Sequence, residues 1–218
     1  FCGVRPLPAQ DANTTGQISR DHSIRVVEPG NGTNYPIYSL VGGKWTSFRA
    51  FSEQTADKTL DTLGHPRKLS TVDEPIGGGH DYPATDAQRA AWVADVAQET
   101  GLSAERIETL LERYGTRARA MAQFMADGDD TPLQSLPAYS QRELIYLAYE
   151  EKVLHLDDLL LRRTLIAMLG EAQSPVIAET AAIVGAVLGW DAERIQSEID
   201  RTQALFAARH GMKFAEAV

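Results

Sequence analysis

Ile37-Tyr38-Ser39-Leu40-Val41-Gly42-Gly43-Lys44-Trp45-Thr46-Ser47-Phe48 changes its period in mid-course. Up to Val41 the residues are strand formers. After the Gly-Gly pair the apolar positions (Phe48, Phe51, Leu60, Leu63) recur at helical spacing until Gly64-His65-Pro66 stops them. The stretch therefore reads as a strand passing through a tight glycine turn into a helix. On its amino-terminal side lie short β-like runs, Ile24 to Val27 among them, broken by the turn formers Glu28-Pro29-Gly30-Asn31-Gly32.

On its carboxy-terminal side the text becomes helical. Residues 65–84, rich in Gly, Pro and Asp, read as a linker. Beyond them, helices are expected from Thr85 or Asp86 to Gln98, from Arg106 to Tyr114 behind Ser103, and from Thr116 to Met125. Others are expected over Gln141 to about Leu154, Leu159 to Leu169, Pro175 to Leu188 and Asp191 to Arg209. The expected fold class is α+β: short strands and a strand-turn-helix over residues 1–64, the linker, then an all-α bundle over 85–218. Trp92 and Trp190 read as core residues, and no fixed-period repeat points to a solenoid.

With 218 residues and 43% hydrophobic content, the chain can build such cores. Its 21 basic and 30 acidic residues give a formal charge of -9, which opposes loose binding to nucleic acid. Cys2 is the single cysteine, so no internal disulfide forms, and a reducing compartment is expected. No run approaches the roughly 18 apolar residues of a membrane span, and no signal peptide opens the chain. A cytoplasmic protein is expected, at most peripheral on the inner membrane. Because the text starts on Phe1-Cys2-Gly3-Val4 and runs straight into strand-like residues, a piece of a longer protein is expected.

Three features carry chemistry. Arg5 precedes Pro6, which confines its backbone to extended geometry and fixes the direction of its side chain. Arg20, in Ser19-Arg20-Asp21-His22, supplies a second guanidinium; two such forks suit a phosphate or carboxylate. Gly42-Gly43-Lys44-Trp45-Thr46 ends a strand and begins a helix, offering free backbone N–H groups and the positive end of a helix dipole. Singly, each also has a structural reading: a surface turn, a common tripeptide, a helix start. A phosphate-binding loop of nucleoside triphosphatases is excluded because the earlier glycine of Gly-x-x-x-x-Gly-Lys is missing. No histidine pair has metal-ligand spacing, so no metal is expected.

In this order, however, Gly3-Val4-Arg5-Pro6-Leu7, Ser19-Arg20-Asp21-His22 and Leu40-Val41-Gly42-Gly43-Lys44-Trp45-Thr46-Ser47-Phe48-Arg49 resemble the late active-site segment of the FAD-dependent glycerol 3-phosphate dehydrogenases. Leu156-Asp157-Asp158 running to Arg162-Arg163-Thr164 is similar to a helix of that family's carboxy-terminal domain, and Pro75-Ile76-Gly77-Gly78 to its linker. Ser47 and Phe48 replace the family's second Thr and its Tyr, so nothing that depends on that phenol carries over.

The resemblance implies FAD as cofactor and oxidation of glycerol 3-phosphate to dihydroxyacetone phosphate, with a quinone as electron acceptor. Arg5 and Arg20 are then substrate ligands. Gly42, Gly43, Lys44, Trp45 and Thr46 line the flavin, and Lys44 serves both flavin and substrate as the catalytic residue. It further implies that the dinucleotide-binding part and the catalytic base precede Phe1, so that this chain alone is inactive; no Gly-x-Gly-x-x-Gly strand-turn-helix occurs in it. An oxygen-using oxidase shares these motifs and stays open, as does a non-catalytic helical binding module. Arg162 and Arg163 read as partners of Asp157 and Asp158 in local ion pairs.

Overall fold

The computed structural model of the chain describes residues 21–30, 32–42 and 44–214. The chain divides into two compact units, the first ending at Pro75 and the second beginning at Ile76, inside the stretch read as linker.

In the first unit, β1 (Ser23–Val27) and β2 (Ile37–Val41) pair antiparallel, with Ser23 opposite Val41 and Val27 opposite Ile37. Their β-branched residues suit a pleated ribbon. A 3₁₀ turn over Trp45–Ser47 leads into α1 (Phe48–Leu63), which ends at Gly64. Phe51 is the buried hydrophobic residue of this unit among the described residues, whereas Val27, Leu40 and Phe48 are half exposed or more.

The chain beyond α1 is fastened back onto it from both sides. Arg49 donates from Nη1 to the carbonyls of Thr71, Val72 and Glu74. Glu53 accepts from the Thr71 amide, the Thr71 and Ser70 hydroxyls (each 3.0 Å) and pairs with Arg67 at 2.9 Å. The Thr71 amide above all, then the two hydroxyls and Arg67, hold the Glu53 carboxyl down at about 2 from 4.5, against the opposing pull of burial. A lowered carboxylate pKa stabilises the fold above the unfolded value and loses that contribution as pH falls through the folded one. We therefore expect the clamp to be complete above about pH 4.5 and to be gone by about pH 2. A nuclear magnetic resonance titration of the Glu53 carboxyl should show a midpoint near 2, with Thr71 amide protection lost alongside; a midpoint near 4.5 would remove the clamp.

The second unit is a helical bundle: α2 (Asp86–Thr100), α3 (Ala104–Tyr114), α4 (Ala118–Ala126), α5 (Gln141–Glu150), α6 (Ser174–Leu188) and α7 (Ala192–His210). Side chains cap three of the starts: Thr85 accepts from the Gln88 amide, Ser103 from Arg106 and Asp191 from Arg194. Helices α2, α3 and α4 pack on one another, and α5 joins α4 to α6, which carries α7. Their facing residues, among them Val96, Leu110, Leu111, Met121, Leu144, Ile177 and Phe206, are essentially inaccessible to solvent. Each such side chain contributes roughly 1.5–3 kcal/mol, so the bundle has a core of its own. No helix among the described residues is long and apolar enough to cross a membrane.

Three expectations need correction. Helix α5 stops at Glu150 rather than near Leu154, and Lys152 then adopts φ +52°, which a continuing helix does not allow. The run from Leu159 is no α-helix either: Asp158–Arg163 is a π-helical turn. There the Thr164 amide bonds the Leu159 carbonyl, and the Thr164 hydroxyl bonds the carbonyls of Leu159 and Leu160, competing with the helical ladder. Trp92 and Trp190 edge the core half-buried, each with an arginine (Arg119, Arg194) near its ring.

A close approach joins the start of this unit to the turn after α3. A Cβ on Gly78 would lie 2.0 Å from the Tyr114 carbonyl oxygen, and one on Gly115 would lie 2.3 Å from that of Gly78. The Thr116 hydroxyl donates to the Gly78 and His80 carbonyls, holding Ile76–Gly79 as a strap.

Candidate functional site

The strand-turn-helix of the first unit brings two of the sequence motifs side by side. Because Ser23 pairs with Val41, the residues just before β1 and just after β2 are neighbours. Gly42 has φ +76°, and a Cβ there would come within 3.0 Å of the Asp21 carbonyl oxygen, so both conformation and space require glycine. Lys44, extended at φ -124°, reaches back, and its Nζ lies 3.4 Å from Asp21 Oδ1. The turn closes on itself: the Lys44 amide donates to Ser47 Oγ (3.3 Å) and the Ser47 amide to the Lys44 carbonyl (3.0 Å). No acidic side chain stands in the first turn of α1, so the positive end of its dipole is not offset there.

Beneath this turn His22 stacks on Phe51, with ring centroids 4.4 Å apart, and its Nε2 lies 3.0 Å from Gln54 Oε1. These contacts fix the exit of the Ser-Arg-Asp-His motif against α1. Arg49, the last residue of the Gly-Gly-Lys stretch, serves the 71–74 segment instead. Arg5, Arg20 and Gly43 lie outside the described residues, as does the side chain of Trp45. Of the residues singled out in the sequence, Gly42, Lys44 and Thr46 stand together at the start of α1. Asp21 and His22, placed in the motif but given no role there, prove to be the partners that hold it.

Chemically, the turn offers an ammonium with side-chain exposure of 47%, held beside Asp21, at the start of a helix. That combination stabilises a localised negative charge. The missing Cβ at Gly42 leaves room for the Asp21 backbone, and Lys44 supplies the positive charge that an anionic ring oxygen of a flavin would meet there.

Among the described residues, no group of three or more His, Cys, Asp or Glu side chains could hold a metal ion. In the second unit the polar residues resolve into buried networks. Glu143, fully buried on α5, pairs with Arg106 and Arg113 of α3 and accepts from the Tyr114 hydroxyl. Buried Asp157 pairs with Arg162 and Arg201, and buried Glu198 with His155 and Arg194. Arg162 thus makes the local ion pairs expected of it. Arg163 instead donates from Nε to the Glu151 carbonyl at 3.1 Å.

A family model described as the C-terminal domain of alpha-glycerophosphate oxidase matches residues 69–195, more than half of the chain. A glycerol-3-phosphate dehydrogenase of Mycobacterium leprae is 31% identical over 214 residues, covering 96% of this chain and 34% of that protein. The mitochondrial glycerol-3-phosphate dehydrogenase of Saccharomyces cerevisiae is 26% identical, covering 93% and 35%. The chain therefore spans about a third of the length of these relatives. Among solved structures, the glycerol-3-phosphate dehydrogenase from Bacillus halodurans complexed with FAD superposes with a TM-score of 0.57 at 16% identity, over 79% of this chain and 38% of that one. At that identity the likeness concerns the fold.

Proposed function

Since the chain belongs to the family of the C-terminal domain of alpha-glycerophosphate oxidase, we propose that it is the carboxy-terminal part of an FAD-dependent enzyme. That enzyme oxidises the secondary alcohol of sn-glycerol 3-phosphate to dihydroxyacetone phosphate and passes the two electrons to a quinone. When bound, FAD supplies the acceptor for the hydride that leaves the alcohol carbon. The observation that carries the reading is the contact of Gly42 and Lys44 with Asp21, which makes neighbours of two motifs lying 23 residues apart.

In this reading Gly42, Gly43, Lys44, Trp45 and Thr46 form the wall of the site that faces the flavin. Lys44, the catalytic residue, holds negative charge there and reaches the substrate as well. Arg5 and Arg20 take the substrate phosphate in forked, charge-assisted hydrogen bonds. The remaining two thirds of such a protein supply the dinucleotide-binding fold and the catalytic base, and this chain alone does not turn over substrate. The half-exposed Val27, Leu40 and Phe48 of the first unit are the apolar surface that this missing part covers. A quinone dissolved in the bilayer calls for a peripheral position on the inner membrane, and in this reading the enzyme meets it from the cytoplasm. Oxygen as acceptor is the second reading, favoured by the oxidase in the family's own description.

The test is to express the gene with whatever sequence precedes Phe1 and to add glycerol 3-phosphate without oxygen. A yellow protein that bleaches is expected, and recolouring by a quinone analogue but not by air would select the dehydrogenase. A colourless, inert protein would overturn the reading in favour of a helical binding module.

A further inference from the structure

Arg162-Arg163 lies on an element that the redox reading does not use. In an α-helix successive side chains diverge by about 100°, yet both arginines line one cleft of about 550 Å³ in the helical unit. The π-helical turn Asp158–Arg163 and the Thr164 bonds that end it form this wall. Such turns are rare, and where they occur they frequently mark functional sites. The glycine strap Ile76–Gly79, held against Tyr114 and Gly115 by an approach that tolerates no side chain, also lines the cleft. Tyr82, Tyr146 and Met121 give the cleft an apolar, largely aromatic interior. Its volume is that of a small-molecule site.

Four arginines line this cleft against one carboxylate, Glu151, in a chain whose formal charge is -9. Three of them are already matched. Arg113 pairs with Glu143 at 2.9 Å, Arg117 with Glu151 at 2.6 Å, and Arg162 with Asp157 and Asp158 at 3.0 and 3.1 Å. Arg163 differs: its Nε is oriented by the Glu151 carbonyl, and among the described residues no carboxylate lies within ion-pair distance of it. A guanidinium fixed through Nε keeps its outer fork for a bidentate partner.

We propose that this cleft binds a small organic anion, an aromatic or apolar body bearing a phosphate or carboxylate, with Arg163 as the charged ligand. Arg163 meets the anionic oxygens while the tyrosines enclose the body; Arg117 and Arg162 stay with their own carboxylates. The ligand is recognised by both parts, so neither half alone should bind well.

Isothermal titration of the full chain with phenyl phosphate, benzoate, phenol and inorganic phosphate tests this directly. Phenyl phosphate or benzoate should bind saturably at one site per chain, and whichever binds more tightly identifies the anionic head. Phenol and inorganic phosphate should each bind at least about tenfold more weakly. Arg163→Met should weaken the preferred anion by roughly tenfold to a hundredfold at an unchanged melting temperature, and Arg163→Lys should recover part of the loss. No saturable binding of either aromatic anion at millimolar concentration would overturn the proposal. So would phenol binding as well as the anions, or Arg163→Met binding like the parent. Binding is read here without flavin or turnover, so this site and the redox reading stand or fall separately.

Discussion

Glu143→Ala should lower the stability of the helical unit by about 3–5 kcal/mol, the cost of removing one partner from a buried charge network. Glu143 is fully buried on α5, where it receives Arg106 Nη2 at 2.5 Å, Arg113 Nη1 at 2.9 Å and the Tyr114 hydroxyl at 2.6 Å. The same guanidinium groups also hold Ser140 Oγ and the Ala138 carbonyl, at 2.9 Å each, and Arg113 lies over the Tyr139 ring. One carboxylate therefore ties α3 to α5 and to the loop before it. Burial, and after it the adjacent carboxylate, keeps the Tyr114 phenol protonated far above its usual range, so it acts as a donor at any working pH.

Without that carboxylate two guanidinium groups lose their buried counter-charge at 20% and 16% side-chain exposure, where water solvates them only in part. The loss is a large share of the 5–15 kcal/mol of a typical domain. At about 2–4 °C per kcal/mol for a chain of this size, thermal unfolding should shift down by roughly 10 °C. Glu143→Gln keeps the shape and one acceptor and should fall between. A shift under about 2 °C for the alanine variant would show that the network contributes nothing net.

Lys44→Met should lower the rate of glycerol 3-phosphate oxidation about 10²–10³-fold in the complete enzyme, the usual effect of deleting one preorganised donor to developing charge. The ammonium lies 3.4 Å from Asp21 Oδ1 with both groups largely in water, so the pair contributes little to folding. Its removal therefore leaves the melting temperature in place and exposes the catalytic contribution alone. Lys44→Arg restores charge at a different reach and should recover part of the rate. Stopped-flow bleaching of the flavin gives the answer, and a variant that bleaches at the parental rate would take Lys44 out of the site.

The strands and helix starts were legible because their signals are local. Ile24 to Val27 and Ile37 to Val41 are runs of β-formers, and Thr85, Ser103 and Asp191 are side chains that cap by reaching three residues onward. The π-helical turn was not legible, since Leu159-Leu160-Leu161 favours an α-helix and the decision rests on the Thr164 hydroxyl finding two carbonyls. In the candidate site, Gly42 was legible because a tight strand-to-helix turn calls for glycine. The Asp21–Lys44 contact was not, because strand register alone brings those residues together. Glu143 looks like any surface glutamate on an amphipathic helix; only the packing of α3 over α5 reveals that it is buried.

The approach of Gly78 to Gly115 bears on how this sequence drifts. Gly115 is held twice over, by its neighbour and by a backbone at φ 62°, ψ -149° that is open to glycine almost alone. Gly78, at φ -79° and ψ 16°, has a conformation that most residues adopt, and only its neighbour's nearness forbids a side chain. Divergence is therefore ordered in time: Gly78 becomes free to vary only in a lineage where the strap has already lifted from the turn after α3, whereas Gly115 stays fixed for as long as that turn keeps its shape.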